Sequence, residues 1–339
     1  MTVLVTGGAG YIGSHICVEL LEQGHQVIVA DSLINSSEEA IERVEKITGK
    51  RIFFYQANLC HKQDVAEIFD EEDIDAVIHV AGHRSIAQSV IDPLEYYYND
   101  IAGTLVLCNA MRKHNVKKMI FSSSAMVYGD LEVDDMPLRE KSPRGKVSSP
   151  YGRIKVALEQ MMRDIHHADP EWNIVLLRYF NAIGAHSSGL IGDYPKMTPN
   201  NLVPYIGDVA VGRQKSVGIF GDDYPTPDGT GIRDYIHVVD VAKGHVAALK
   251  LMDQEPAVRT YNLGTGHGYS VFDVIHTYEK VCGVPIPYEI RQKRPGDIAV
   301  LYADPSKAER ELGWKAEKTL EEMCADSYRW KSNSNGYKF

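Results

Sequence analysis

The sequence lacks the features of a membrane or exported protein. No uninterrupted apolar run approaches the roughly 18 residues that a membrane-spanning helix needs. The chain begins, directly after Met1 and Thr2, with VLVTGG, and neither a positively charged segment nor the apolar core of a signal peptide precedes it. We therefore expect a cytoplasmic protein without a membrane partner.

Cysteine is scarce and scattered. The five cysteines are Cys17, Cys60, Cys108, Cys282 and Cys324, and no two of them form a CxxC pair. This spacing predicts neither a disulfide framework nor a zinc site. We expect buried thiols and no bound metal.

Positive charge is also in short supply. Lys and Arg together number 36 against 46 for Asp and Glu, which gives a net charge of -10. A protein without a basic stripe is a poor partner for nucleic acid or for an anionic membrane surface. A small anionic ligand stays compatible with this balance, because a few local arginines can outweigh the overall sign.

The chain is long enough, at 339 residues with 44% apolar side chains, to bury about two domains. Short apolar runs alternate with segments of helical periodicity, which predicts an α/β fold: a Rossmann-like, doubly wound parallel sheet. The predicted strands are Thr2 to Thr6, Gln26 to Ala30, Arg51 to Tyr55, Ala76 to Val80, Lys118 to Ser122 and Asn173 to Leu177. The predicted helices are Tyr11 to Gln23, Leu94 to His114 and Tyr151 to His167.

After Arg178 the pattern loosens into stretches rich in Gly, Pro and Asn. We predict that residues 1–180 form the dinucleotide-binding domain and that residues 181–339 form a second, smaller mixed α/β lobe. The segment at about 238–251 is helical enough to return to the first domain. A cleft between the two lobes is then the expected ligand site.

A glycine-rich turn follows the first predicted strand. It runs Gly7-Gly8-Ala9-Gly10-Tyr11-Ile12-Gly13, with a strand before it and an amphipathic helix after it. Such glycines let the backbone approach a pyrophosphate at a helix N-terminus. Asp31 ends the next strand, where a carboxylate accepts hydrogen bonds from a ribose 2′-hydroxyl and repels a 2′-phosphate. The pattern therefore favours NAD over NADP.

Three residues form a candidate catalytic group. Tyr151 and Lys155 lie one turn apart on a predicted helix, and Ser124 follows a strand of the sheet. An ammonium group beside a tyrosine stabilises the phenolate and is expected to draw the pKa of Tyr151 down from about 10. Tyr151 can then exchange a proton with a sugar hydroxyl, and Ser124 can hydrogen-bond that hydroxyl.

Together these motifs resemble the extended short-chain dehydrogenase/reductase family, and the resemblance runs from about Thr2 to Trp330. The blocks that carry it are GGAGYIGSH, SSSA, YxxxK, RYFN (178–181), PNNL (199–202), DGTGIRDYIHV (228–238), YNLGTG (261–266) and RPGD (294–297). The last blocks are similar to the members that epimerise nucleotide sugars. The resemblance implies epimerisation at C4 of a UDP-hexose by a tightly held NAD, through a 4-keto intermediate.

The resemblance also implies two sets of contacts. The cofactor residues are Gly7, Gly10, Tyr11, Ile12, Gly13, Asp31, Asn35, Ser36, Asn58, Leu59, Val80, Ala81, Gly82, Arg84, Asn99, Ser124, Tyr151, Lys155 and Phe180. The UDP-sugar residues are Ser124, Tyr151, Tyr179, Asn181, Asn201, Leu202, Ile219, Phe220, Arg233, Arg294, Asp297 and Leu301.

The sequence departs from the family pattern at several positions. Arg84 stands where a lysine is usual, which keeps a positive charge near the NAD diphosphate, and Asn58 replaces an aspartate. The other departures are Met126, Ala182, Ile183 and His83. Relatives confined to unsubstituted sugars resemble one another in a tyrosine at the position of Leu301. The smaller leucine predicts a pocket that also admits UDP-GlcNAc and UDP-GalNAc.

Other functions stay open at this point. A nucleotide-sugar 4,6-dehydratase would need an acid and a base beside Ser124, and Ala125 and Met126 supply neither. A simple dehydrogenase would produce net NADH. Two further alternatives are an epimerase acting mainly on UDP-N-acetylhexosamines and a non-catalytic, NAD-dependent regulator.

The resemblance further implies a homodimer, built as a four-helix bundle from two helices of each subunit. The predicted helices 94–114 and 151–167 carry apolar side chains that either face a partner subunit or pack on the sheet. These residues are Leu107, Met111, Leu158 and Met162.

Overall fold

A computed structural model describes residues 1–193, 201–293 and 297–333 of the chain. Its strands, in chain order, are β1 (Thr2–Thr6), β2 (Gln26–Asp31), β3 (Phe53–Gln56), β4 (Ala76–His79), β5 (Lys118–Ser124), β6 (Asn173–Tyr179), β7 (Asn181–Ile183), β8 (Val217–Phe220), β9 (Ile232–Arg233), β10 (Tyr235–His237), β11 (Val258–Leu263), β12 (Tyr269–Ser270), β13 (Tyr288–Arg291) and β14 (Val300–Leu301). The six predicted strands match β1 to β6 to within a few residues.

The helices in these ranges are α1 (Tyr11–Glu22), α2 (Glu39–Thr48), α3 (Lys62–Glu71), α4 (Ile86–Ile91), α5 (Pro93–Tyr97), α6 (Gly103–Lys113), α7 (Pro150–Ala168), α8 (Leu202–Ala210), α9 (Val238–Leu249), α10 (Val271–Cys282), α11 (Ser306–Leu312) and α12 (Leu320–Asn333). A π-helical turn, Tyr98–Ala102, joins α5 to α6. The segment predicted as one helix, 94–114, is therefore helical but changes its hydrogen-bonding pattern in the middle. Helical periodicity alone does not reveal such a change.

Seven parallel strands form the central sheet, in the order β11-β6-β5-β4-β1-β2-β3. The strand order reverses beside β1, and ligands of open α/β sheets bind at the carboxyl ends of the strands at such a point. The predicted Rossmann-like fold is confirmed. The sheet positions the ends of β1, β2, β4 and β5 along one edge.

Successive side chains of β1 face two different hydrophobic cores. Val3 and Val5 pack with α1, α2 and α9 on one face of the sheet. Leu4 packs with α3, α6 and α7 on the other. A strand covered on both faces reads as a continuous apolar run, as this one does.

The apolar residues considered for a subunit contact belong to the second of these cores. Leu107, Met111, Leu158 and Met162 are at most 2% exposed and pack with the sheet. Of the two alternatives given for these residues, the structure supports packing on the sheet, because both helices turn these side chains inward.

The later part of the chain forms smaller sheets. They are the three-stranded β12-β9-β14 and the pairs β10-β7 and β13-β8. Helices α8, α10 and α12 pack together beside them around a separate core. Two elements of this later part pack with the central sheet and its helices instead: β11 extends the sheet beside β6, and α9 packs on α1.

None of the helices in the described ranges combines the length and the apolar character needed to span a bilayer. In the same ranges, no group of three or more His, Cys, Asp or Glu side chains is arranged to hold a metal ion. The five cysteines are free thiols.

Candidate active site

The glycine turn joins β1 to α1 at the sheet edge. Gly7 adopts φ +74°, a left-handed conformation that favours glycine. A Cβ added at Gly13 would lie 2.1 Å from the carbonyl oxygen of Gly7, which is backbone and cannot swing away. The turn therefore exists in this form only because these positions carry no side chain, and it brings the N-terminus of α1 to the edge of the sheet.

Asp31 lies at the carboxyl end of β2, beside this turn. Its side chain is largely buried, and its Oδ2 accepts a hydrogen bond of 3.0 Å from the backbone N–H of Ala9. Its Oδ1 accepts bonds from Leu33 N at 2.9 Å and from Ser36 Oγ at 2.7 Å. The bond from Leu33 N closes a turn at the end of the strand, and the bond from Ala9 N ties the carboxylate to the glycine turn at the groove.

A groove runs along this edge of the sheet. Among the predicted cofactor residues, it is lined by Gly7, Gly10, Tyr11, Ile12, Gly13, Asp31, Asn35, Ser36, Asn58, Leu59, Val80, Ala81, Gly82, Arg84 and Asn99. Tyr179, predicted for the substrate, lines it too. Ser124, Tyr151, Lys155 and Phe180 are outside this set of lining residues and belong to the adjoining part of the site.

The candidate catalytic residues lie on β5 and α7. Ser149 begins α7 by accepting a hydrogen bond of 3.1 Å from Gly152 N, which fixes the first turn that carries Tyr151. Ser124 ends β5, where its Oγ accepts a bond from Met126 N at 3.2 Å. All three candidate side chains, Ser124, Tyr151 and Lys155, are at most 8% exposed.

Lys155 lies between the sheet and Tyr151. Its Nζ donates a hydrogen bond of 3.1 Å to the carbonyl oxygen of Ser122. The same atom lies 5.0 Å from the ring centroid of Phe121 and 5.8 Å from that of Tyr151. The ammonium therefore faces two aromatic rings and forms no described hydrogen bond with the tyrosine hydroxyl.

Burial dominates the acid–base properties of this pair. It raises the pKa of Tyr151 well above the ordinary range, Tyr179 adds to that rise, and a hydrogen bond from Ser124 opposes it. Burial also lowers the pKa of Lys155, against the charges of Asp100 and Glu159. The expected downward shift of the Tyr151 pKa is not found, because desolvation of the phenolate is the largest influence on it.

Arg84 makes an ion pair that its sequence position does not reveal. Its Nη2 lies 2.6 Å from Oδ1 of Asp193, and both residues line the groove. The cation is therefore held between the end of β4 and a segment of the later chain. This geometry leaves its charge at the groove wall but shares it with a carboxylate.

Three candidate substrate residues lie together near the three-stranded sheet. Arg233 on β9 forms an ion pair with Asp297, with 2.7 Å between Nη2 and Oδ1. Leu301 on β14 is the register partner of Arg233. Asn181 and Asn201 are exposed, Asn201 at the N-cap of α8. Arg294 lies outside the described residues.

Two other predicted substrate residues lie at the core of the later part of the chain. Ile219 is 1% exposed within the core formed with α8 and α10, and Leu202 packs against the same core. Because β8 directs the side chain of Ile219 inward, a substrate contact of this residue stays a prediction for its backbone. Phe220, the next residue, is half-buried, with the guanidinium of Arg291 6.0 Å from its ring.

Phe180 and Leu301 lie in one apolar cluster. They pack with Ala125 and Val127, just after Ser124, and with Tyr128. This cluster joins the catalytic strand β5 to the small sheet that carries Arg233. The predicted catalytic and substrate residues are thus connected through packed side chains.

Sequence reasoning missed several groove residues. His79 is buried and bridges Thr6 and Thr104, with Nδ1–Oγ1 2.7 Å and Nε2–Oγ1 2.9 Å. Asp100 and Asp193 also line the groove. The position of His79 at the end of a central strand was a usable signal, whereas neither aspartate lies in a motif.

Comparisons with known proteins agree with this geometry. Residues 3–264 match the model of the NAD dependent epimerase/dehydratase family. A UDP-glucose 4-epimerase of Bacillus subtilis is 56% identical over 339 residues, which is 100% of this chain and 99% of that protein. One from Dictyostelium discoideum is 51% identical over 99% of this chain and 97% of its own.

Solved structures are similar as well. The crystal structure of UDP-glucose 4-epimerase from Bifidobacterium longum in complex with NAD+ and UDP has a TM-score of 0.96 and 55% identity, over 99% of this chain and 100% of that one. The UDP-Glc/GlcNAc 4-epimerase from Campylobacter jejuni has a TM-score of 0.83 and 36% identity, over 98% and 99%.

Proposed function

The chain belongs to the NAD dependent epimerase/dehydratase family, and we propose that it is an NAD-dependent epimerase that interconverts UDP-galactose and UDP-glucose. The observation that carries this function is the joining of two sites. Ser124 is the register partner of Tyr179, which lines the groove that contains the glycine turn and Asp31. Tyr151 and Lys155 lie on α7, which packs on the strand of Ser124. Proton exchange and dinucleotide binding can therefore occur in one cleft.

The groove fits NAD in shape and in chemistry. The turn between β1 and α1 has no Cβ atoms where a pyrophosphate would approach, and the N-terminus of α1 supplies partial positive charge there. Asp31 supports NAD over NADP, since its carboxylate accepts from ribose hydroxyls and repels a 2′-phosphate. When bound, NAD supplies a carbon that accepts the hydride from C4 of the sugar and returns it to the other face.

Tyr151 and Ser124 manage the proton of the reaction. As a phenolate, Tyr151 takes the proton of the 4-hydroxyl while the 4-keto sugar forms, and the phenol so formed returns that proton afterwards, while Ser124 Oγ hydrogen-bonds the sugar oxygen. Burial raises the pKa of Tyr151, so formation of the phenolate depends on nearby positive charge. Lys155, 5.8 Å from the ring, supplies such charge.

Arg233, Arg294 and Asp297 hold the UDP part of the substrate in this proposal. A guanidinium can form two parallel hydrogen bonds with a pyrophosphate, and Asp297 can accept from a ribose hydroxyl. The hexose must turn over between the two hydride transfers, so binding energy is better placed on UDP than on the sugar. The 2.7 Å pairing of Arg233 with Asp297 supports a preformed UDP wall.

The direct test is incubation of the purified protein with UDP-galactose, without added NAD, followed by chromatography of the nucleotide sugars. We expect UDP-glucose, with no net NADH. Tyr151→Phe should lower the rate by about 10²- to 10⁴-fold, whereas Tyr288→Phe, at an exposed position on β13, should have no effect. Net NADH, loss of water from the sugar or no reaction would support a dehydrogenase, a dehydratase or a regulator instead.

We also infer that the site accepts N-acetylated sugars. Leu301 is 4% exposed and packs with Phe180 and Ala125, immediately beside Ser124, so its size affects the space near the reacting centre. Turnover of UDP-GalNAc by the unaltered protein, and its selective loss in Leu301→Tyr, would support this inference. Leu301→Met conserves volume and should keep both activities. An enzyme that converts UDP-galactose but never UDP-GalNAc contradicts it, and the reverse preference favours the N-acetylhexosamine alternative.

A homodimer is the assembly we propose. A patch of exposed apolar residues lies on the segment from α4 to α6, and monomers seldom expose a large apolar patch. Its members are Ile86, Val90, Ile91, Leu94, Tyr98 and Leu105, which are 42% to 81% exposed. A two-fold axis would bury the patch against its copy.

Sedimentation at micromolar concentration tests this assembly. Leu94→Asp combined with Leu105→Asp should give a monomer. Val133→Asp, at an exposed apolar residue outside the patch, should stay dimeric. A dimer that survives the double change has another interface.

We further infer the domain division at about residue 180, with later segments returning to the first domain. The pairing of β11 with β6 and the packing of α9 on α1 support it. A fragment that ends at residue 180 lacks both elements and should show no cooperative unfolding transition. A stably folded fragment contradicts this division.

A further inference from the structure

Residues 184–193 form a short loop against the cofactor groove, and we call this loop the strap. It follows β7 directly and folds back on itself, because Ala185 and Gly192 form an antiparallel bridge. Its last two residues, Gly192 and Asp193, line the groove. The strap has no role in the mechanism described above.

Both ends of the strap are joined to side chains that line the groove. At its first residue, the hydroxyl of Tyr11 donates a hydrogen bond of 2.7 Å to the carbonyl oxygen of Gly184. At its last residue, Nη2 of Arg84 lies 2.6 Å from Oδ1 of Asp193. Tyr11 begins α1 and Arg84 follows β4, so the strap is connected to the sheet edge at two separate points.

Side chains of two other helices hold the backbone of the strap. Arg43 on α2 donates a hydrogen bond of 2.9 Å to the carbonyl oxygen of Leu190. Trp330 on α12 donates one of 3.1 Å to that of Asp193. A Cβ at Gly192 would lie 2.5 Å from Cγ of Trp330, so the strap and α12 are in close contact. These bonds all end on neutral backbone oxygens of the strap.

The pair of Arg84 and Asp193 differs from these bonds because both partners are charged. The Asp193 side chain is largely buried, whereas that of Arg84 is partly exposed. A guanidinium has five N–H donors in a fixed plane, so one edge can bond a carboxylate while another faces a phosphate. Arg84 is a predicted cofactor residue, and its bond to Asp193 fixes the direction of its remaining donors.

A carboxylate at this position has two opposite effects on a bound dinucleotide. Its charge repels the diphosphate, which would speed the release of NAD. Its bond to Arg84 holds the strap against the sheet edge, which would slow that release. Because a cation at 2.6 Å already neutralises Asp193, its repulsion of a more distant anion is small, and we expect the second effect to prevail.

We propose that Asp193 is a positioning residue of the cofactor site: its ion pair with Arg84 holds the strap against the groove, so that bound NAD leaves only when this pair opens. Asp193 acts through Arg84 and not on NAD itself. The inference rests on the proposed function for the identity of the cofactor, and it explains how the protein retains NAD through turnover.

The substitution Asp193→Asn tests this role because it removes the charge but keeps the shape. The purified holoenzyme is incubated with excess isotopically labelled NAD, and mass spectrometry of the bound NAD after desalting gives the release rate. Release should be about 10-fold faster, the low end for a charge-assisted hydrogen bond, since Arg84 is partly exposed. Repulsion alone predicts slower release in the variant. Unchanged or slower release from a folded variant overturns the proposal.

The matched control is Asp304→Asn. Asp304 also pairs with an arginine, Arg139, at 2.9 Å, and its side chain is 17% exposed against 10% for Asp193. It lies outside the residues that line the groove. NAD release from this variant should match that of the unaltered protein. Equal acceleration in both variants would mean a general loosening of the fold and would overturn the proposal.

A double variant shows whether Asp193 acts through Arg84. Arg84→Gln alone should speed the release of NAD, and the addition of Asp193→Asn should bring no further increase, because the pair is already broken. A further increase as large as that caused by Asp193→Asn alone overturns the proposal. Failure of the unaltered protein to convert UDP-galactose would refute only the proposed function, because the exchange of NAD is measured without a sugar.

Discussion

The two halves of the molecule build their parts of the cleft from different material. The half formed by the central sheet shapes the groove with main chain: a glycine turn, a helix N-terminus and the ends of parallel strands. The half formed by the small sheets presents side chains, such as Arg233 paired with Asp297 at 2.7 Å. The backbone-built site requires glycine at positions where a Cβ atom would collide, whereas the side-chain-built site requires charged residues at particular positions.

This difference matches the two ligands of the proposed reaction. NAD stays bound through turnover, and rigid backbone donors on a seven-stranded sheet suit a ligand that does not leave. UDP-sugars exchange at every turnover. Ion pairs near the surface suit them, since such pairs contribute little to stability and can open and re-form at low cost.

The largest expected effect comes from adding one atom to the backbone-built half. In Gly13→Ala the new Cβ meets the Gly7 carbonyl oxygen at 2.1 Å, so backbone must move. We expect a loss of more than about 4 kcal/mol in the free energy of unfolding, together with loss of NAD binding. Urea denaturation and the NAD content of the purified protein measure the two effects.

Gly24→Ala is the control for this change. Gly24 has φ +84° but nothing within 4 Å of an added Cβ, so only backbone strain is expected, about 1 kcal/mol. If the two variants lose similar stability, the collision of a Gly13 Cβ with the Gly7 carbonyl oxygen does not explain the loss in Gly13→Ala.

A second prediction concerns a side-chain cluster inside the sheet half. Glu159 is fully buried and accepts bonds from Arg178 at 2.6 and 2.8 Å and from Arg144 at 2.9 Å. Glu159→Gln leaves Arg178 without its counter-charge and should cost about 3 kcal/mol at neutral pH. The cost is high because the charges of Glu159 and Arg178 are buried away from water.

The cost should depend on pH. Burial by itself raises the pKa of Glu159, but the hydrogen bonds and charge of Arg178 outweigh it and hold the pKa below 4.5. The stabilisation is therefore fully present above pH 4.5 and is lost as the pH falls through the lowered value. Denaturation series at several pH values should show the gap between variant and unaltered protein narrowing in acid.

The Asp208–Lys331 pair of the other half is the comparison for this result. Asp208 lies 2.7 Å from Lys331 and 3.5 Å from Arg213, and its side chain is 10% exposed against 0% for Glu159. Asp208→Asn also takes the counter-charge away from a buried cation, Lys331, but should cost somewhat less than Glu159→Gln because water reaches the Asp208 carboxylate. An equal or larger cost would show that charge is desolvated as strongly in this half as in the other.

The same difference explains what the sequence could predict. Strands β1, β2, β4, β5 and β6 are runs of four to seven residues with buried, mostly apolar side chains, so their positions follow from composition alone. The edge strand β3 is partly exposed but keeps three aromatic residues, Phe53, Phe54 and Tyr55. The groove residues at the ends of these strands follow from strand order. That is why most of the predicted cofactor residues line one groove.

The other contacts depend on information that lies far apart along the chain. Arg84 pairs with Asp193, and His79 bridges Thr6 and Thr104. The inward direction of Ile219 depends on which face of a four-residue strand meets α8 and α10. Neither composition nor local spacing encodes these choices, since tertiary packing decides them.

The smallest expected effect is weaker binding of the substrate alone. It follows from a substitution in the half formed by the small sheets. Arg233→Ala removes a guanidinium that is bonded to Asp297 at 2.7 Å and to the carbonyl oxygen of Ile232 at 2.8 Å. We expect KM for UDP-galactose to rise by about 10- to 100-fold, as for a charged hydrogen bond of roughly 1.5 to 3 kcal/mol. NAD content and kcat should change little, because the loss falls on a wall that the cofactor does not touch.

Arg310→Ala separates this effect from a general loss of positive charge. Arg310 is exposed on α11 and is not among the predicted site residues, so its removal should leave KM unchanged. Loss of NAD together with the rise in KM would mean that the two walls of the cleft are not independent. The rise in KM alone would show that the side-chain half binds the exchanging ligand while the backbone half continues to hold the resident one.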